Sequence, residues 1–77
     1  MTYEQLLEML RDMHPDIDFD TAEGLIDRKI LTSFDVVSIA AELSETYGLE
    51  LGAVDIVPEN FNSARALFAL IERIENE

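Results

Sequence analysis

The 77-residue chain has no cysteine and no tryptophan, three glycines, two prolines, and five basic residues against seventeen acidic ones. Without cysteine there can be no disulfide and no thiolate metal site. A short secreted domain usually depends on such staples, so a reducing cytoplasm is the expected setting. The glycines stand isolated at 24, 48 and 52, which leaves no glycine-rich phosphate loop. No apolar run approaches the roughly 20 residues of a membrane span. The start, Met1-Thr2-Tyr3-Glu4, has no basic stretch of the signal-peptide kind, and no flanking linker is visible, so the reading is one discrete domain over residues 1–77. With a net charge of −12, nucleic acid and anionic membranes are expected to be repelled. A basic protein partner fits that charge.

What is present is helical periodicity. Tyr3, Leu6, Leu7, Leu10 and Met13 form one apolar face, and Thr2 with Gln5 makes a capping box, predicting a helix over 2–13. Pro15 closes it. Residues 14–32 read as a long loop with interspersed apolar side chains and a short helical turn near Thr21–Leu25. A second helix is predicted over 33–47, with Val36, Ile39, Ala40, Leu43 and Tyr47 as its core stripe, Thr32 or Ser33 as its cap, and Gly48 after its end. Pro58-Glu59-Asn60-Phe61 reads as a short helical turn. A last helix, capped by Asn62 or Ser63, runs to about Ile74 on Ala64, Leu67, Phe68, Ile71 and Ile74. The fold class is all-α: a small four-helix bundle, three main helices and one short, with a long first loop. A domain of this size buries only about 60% of its unfolded surface. A deep enclosed active site is not expected, and the chain does not read as an enzyme.

Three groups of residues could carry chemistry. His14 is the sole histidine, and any serine triad would have to use it. Beside Pro15 it reads as a helix-end residue. Asp16, Asp18, Asp20 and Asp27 occupy positions 1, 3, 5 and 12 of an EF-hand count. Thr21 stands where that loop needs glycine and Asp27 where it needs glutamate, so no dedicated metal site is predicted. Ser33 stands at the mouth of the second helix, after the long loop. It can serve as a cap, or it can present a hydroxyl for modification where free amides and the helix dipole favour a phosphodiester. On the same helix Phe34, Val37 and Ala41 form a stripe offset from the core, flanked by Asp35, Glu42 and Glu45. These six residues make a candidate docking surface for a basic partner.

The segment Leu31-Thr32-Ser33-Phe34-Asp35-Val36-Val37 resembles the modification motif of the acyl and peptidyl carrier proteins. Glu42 to Leu51 resembles the acidic end of that family's second helix and the turn after it, and Pro58 to Ser63 its short third helix and the start of the fourth. The resemblance is strongest from Leu25 to Ile74. It implies an acyl-carrier-protein-like bundle in which Ser33 accepts a covalent 4′-phosphopantetheine arm from coenzyme A through a separate phosphopantetheinyl transferase. The arm's thiol would hold an acyl or aminoacyl cargo as a thioester for loading and processing enzymes with basic surfaces, the carrier itself being a monomer. Two positions depart from the pattern. Thr32 replaces the usual aspartate before the serine, and Ser38 replaces an acidic residue five positions after it. Both tilt the reading toward a dedicated biosynthetic pathway rather than bulk fatty-acid synthesis. The alternative is an acidic helical interaction module with the same fold and no arm.

Overall fold

The structure is a computed structural model that describes residues 1–76. Among these there are four helices and no strand: α1 (Tyr3–Met13), α2 (Ser33–Tyr47), α3 (Pro58–Phe61) and α4 (Ala64–Glu75).

Local signals account for the helix ends. Thr2 and Gln5 form the reciprocal capping box, with Thr2 N donating to Gln5 Oε1 (2.8 Å) and Gln5 N to Thr2 Oγ1 (3.1 Å). At α2 the cap is Thr32, not Ser33, and Asp35 completes a second capping box. Gly48 ends that helix in the left-handed region at φ 67°, where its N–H reaches the carbonyls of Leu43 and Ser44. Pro58 opens α3 because its missing N–H would have no partner there. Ser63 caps α4, accepting from Ala66 N at 3.0 Å. Asn62, the other candidate for that cap, instead ends α3.

One core cluster draws on all four helices, the first loop and the connector. Leu6, Leu7 and Leu10 of α1 meet Val36, Ile39 and Leu43 of α2, Phe61 of α3, and Ala64, Leu67 and Ile71 of α4. Met9 and Leu70 are buried as well, beyond the predicted stripes. Tyr47 is a correction: assigned to the core, it is 36% exposed. It sits in the last turn of α2, where a phenol can keep its hydroxyl in water. α4 lies against both α1 and α3. Its seam with α1 holds an edge-to-face pair, Tyr3 with Phe68 at 5.5 Å between centroids, and Arg65 lies 5.2 Å above the Tyr3 ring.

The first loop is irregular but packed, with Phe19, Leu25 and Leu31 buried in the core. The sequence predicted a short helical turn near Thr21–Leu25. Two turns flank that stretch, one where Ala22 N reaches Asp18 O (2.9 Å), the other where Arg28 N reaches Gly24 O (2.7 Å). Gly24 adopts φ 62°, a conformation that lets glycine separate them.

Candidate functional site

Ser33 is the first residue of α2 and is exposed. Because Thr32 does the capping, the Ser33 hydroxyl has no hydrogen-bond partner among the described residues. Thr32 Oγ1 accepts from Asp35 N at 3.2 Å and donates to Asp35 Oδ2 at 3.0 Å; Thr32 N donates to the same oxygen at 2.9 Å. A threonine before the serine therefore still closes the helix mouth.

Asp35 is drawn into that mouth more than the docking reading required. Its Oδ2 is held by Thr32, and its Oδ1 lies 3.5 Å from Nε2 of His14. The Thr32 backbone N–H holds the carboxyl below its usual range, aided by the Thr32 hydroxyl and the nearby imidazole; burial acts the other way. His14 is the C-cap of α1, a helix-end residue as its sequence position implied. No serine is joined to it by a hydrogen bond among the described residues.

Beside Ser33 lies an open apolar groove of about 210 Å³, lined by Ser33, Ile26, Val36, Val37, Ile56, Val57 and Pro58. Three chain segments build it: the first loop, α2, and the run from the connector into α3. Val36 and Val37 come from the motif itself. Ile26, Ile56, Val57 and Pro58 join the site only through the fold, since nothing in their local pattern shows which way they face.

The docking residues divide. Phe34 (73%) and Val37 (60%) are strongly exposed, and Ala41 is exposed beyond them. Glu45 is exposed and has no hydrogen-bond or ion-pair partner among the described residues, whereas Glu42 is half-buried and receives the Thr46 hydroxyl. Val54, 85% exposed on the connector, is a further uncovered apolar side chain that helical periodicity could not flag.

The aspartates of the first loop do not converge. Asp20 pairs with Arg11 at 2.5 Å, Asp18 accepts from Asp20 N and the Thr21 hydroxyl, and Asp27 receives Asn62 Nδ2 at 3.1 Å. No three acidic or histidine side chains come together as a metal set among the described residues. No described helix is long and apolar enough to cross a membrane.

The helix mouth can present a nucleophilic hydroxyl and, through the free amides of the first turn, accommodate a phosphodiester. The groove can take an apolar segment attached there. No family model matches the chain, and no curated protein or solved structure matches it either.

Proposed function

We propose that the protein is a carrier whose Ser33 accepts a 4′-phosphopantetheine arm from coenzyme A and holds acyl or aminoacyl cargo. One observation carries the reading. The single unpartnered hydroxyl at the α2 mouth opens beside an apolar groove, so a group attached to Ser33 has a place for an apolar tail. The carrier-like motif at Leu31–Val37 supports it.

The residues fit such an arm. Ser33 Oγ would attack the phosphorus bearing the pantetheine, forming a new ester bond and breaking the diphosphate bond. The nucleotide would leave, and the serine proton would pass to a base on the transferase. Thr32 and Asp35 hold the first turn closed, so the amides of Ser33 and Phe34 remain directed at the phosphate position. Once bound, the arm supplies the thiol that this cysteine-free chain lacks. No residue here is assigned a catalytic role; the chain presents, shelters and delivers. Phe34, Val37 and Ala41, with Glu45 and the half-buried Glu42 beside them, give basic partner enzymes an apolar strip with an acidic rim. Asp35 contributes to that surface less than to the helix mouth. The same strip favours a second reading, an arm-free acidic interaction module, because docking on it does not require modification.

Intact mass after incubation with coenzyme A and a broad-specificity phosphopantetheinyl transferase tests the reading, with Ser33→Ala in parallel. The expected result is a gain of one phosphopantetheine on the wild type alone. No gain, with the protein folded and a control carrier modified, would overturn the arm and leave the interaction module.

A further inference from the structure

The turn over Gly24–Leu31 forms one wall of the groove through Ile26, and α3 with its approach forms the facing wall through Ile56, Val57 and Pro58. Among the described residues, every hydrogen bond that this turn makes outside itself goes to Asn62. The Asn62 side-chain oxygen accepts from Ile26 N (2.9 Å) and Asp27 N (3.2 Å). Its Nδ2 donates to Asp27 Oδ2 (3.1 Å), and its main-chain carbonyl accepts from Leu25 N (2.8 Å). The other bonds of the turn are internal: Arg28 N to Gly24 O, Lys29 N to Ile26 O, and Ile30 N and Leu31 N to Leu25 O.

Asn62 also terminates α3, a helix of four residues and so about 6 Å long. The wall that carries Val57 and Pro58 and the wall that carries Ile26 are therefore joined through one residue, by three side-chain bonds and one main-chain bond, a single helical turn away from the groove. Asn60 holds the far end of the same wall by donating to Asp55 O at 2.8 Å. Leu25 and Leu31 anchor the turn in the core, but Ile26 between them is only half-buried. Besides its partial packing on the core and the bond its carbonyl accepts from Lys29 N, it is held by the bond its own N–H makes to Asn62.

We propose that Asn62 is the specificity-determining residue of the groove: it clasps the first loop to α3 and so restricts the site beside Ser33 to a short acyl segment. This deepens the carrier reading and rests on it for the nature of the cargo. The size follows from the groove's volume of about 210 Å³, below the roughly 300–1,000 Å³ typical of sites that enclose drug-sized ligands. Without the clasp, Ile26 can swing outward and the groove lengthens.

The groove can be tested without any arm. Protein with labelled Ile, Val and Leu methyl groups is titrated with butanol, hexanol and octanol, and methyl shifts are followed by NMR. In the wild type, hexanol is expected to shift Ile26, Val36, Val37, Ile56 and Val57 saturably, and octanol to bind no tighter than hexanol. In Asn62→Ala, octanol is expected to bind severalfold tighter than hexanol. Asp27→Ala, which removes one anchor of the Asn62 amide and leaves its other bonds, is expected to move the same way by a smaller factor. Identical chain-length profiles in the wild type and a folded Asn62→Ala would overturn the proposal. If Asn62→Ala does not fold, an unchanged profile in Asp27→Ala overturns it. Wild-type affinity that keeps rising from hexanol to octanol, or shifts that never saturate, would also overturn it. Failure of the carrier reading appears separately, as the absence of a mass gain on Ser33.

Discussion

Thr32 and Ser33 are adjacent, and replacing each with alanine should give opposite results in stability and in modification. Thr32 Oγ1 satisfies the Asp35 N–H and donates to the Asp35 carboxylate, so Thr32→Ala leaves an orphan amide in the first turn of α2. Loss of such a cap costs about 1 kcal/mol, within roughly 0.5–2. For a domain of this size, 1 kcal/mol lowers Tm by about 4–8 °C. Thr32→Ser keeps the hydroxyl and should recover most of that loss. Ser33 is exposed at the first helical position with no hydrogen-bond partner among the described residues. Ser33→Ala should therefore change stability by no more than about 0.5 kcal/mol, as surface substitutions away from special features usually do. Thermal melts followed by circular dichroism, with urea titrations for the free energies, measure all three variants. Ser33→Ala should abolish arm attachment at nearly unchanged Tm, and Thr32→Ala should lower Tm while keeping the attachment point. A fall in Tm for Ser33→Ala as large as that for Thr32→Ala would refute the assignment of the cap.

Lys29 holds φ 60°, a left-handed conformation that costs a side-chain-bearing residue about 1–2 kcal/mol. Lys29→Gly removes that strain but adds about 0.4–1 kcal/mol of unfolded-state entropy, so a net gain of about 0.5 kcal/mol over the charge-matched control Lys29→Gln is expected in urea titrations. A net charge of −12 repels itself, so Tm should rise by several degrees as added salt shortens the screening length to about 10 Å near 0.1 M; a flat response would contradict this. The Asp35 carboxyl is held below its usual value, so its contribution to stability is present above the ordinary carboxylate range and is lost as pH falls through the lowered folded value. Melts across the acid limb should then show a shallower loss in Asp35→Asn than in the wild type. Phe61 is buried among all the core elements, and Phe61→Ala should cost about 3–5 kcal/mol, a large share of the total for so small a domain; a cooperative melt close to that of the wild type would contradict this.

The sequence by itself determined the helices, their order and most of their ends. Those features rest on interactions over three or four residues: the Thr2–Gln5 box, Gly48 after Tyr47, Pro58 at the start of a turn, and the apolar stripes of α1, α2 and α4. Ser33 at the mouth of the second helix, and the exposure of Phe34 and Val37, were legible for the same reason. Other features were decided only in the folded structure, and the groove among them by distant parts of the chain. The cap at α2 had two adjacent candidates, and the reciprocal bonds between Thr32 and Asp35 decided it. Tyr47 lay in register with the core stripe, yet in the last turn of α2 it stays partly exposed. The groove beside Ser33 exists only because residues near 26, 36 and 57 are brought together, and the loop wall is held there by an asparagine 36 positions from Ile26. Periodicity reports which face of a helix is apolar; it carries no record of where an irregular loop comes to rest. Only the packing of Leu25 and Leu31 into the core, with Asn62 taking up the loop's free amides, fixed that position.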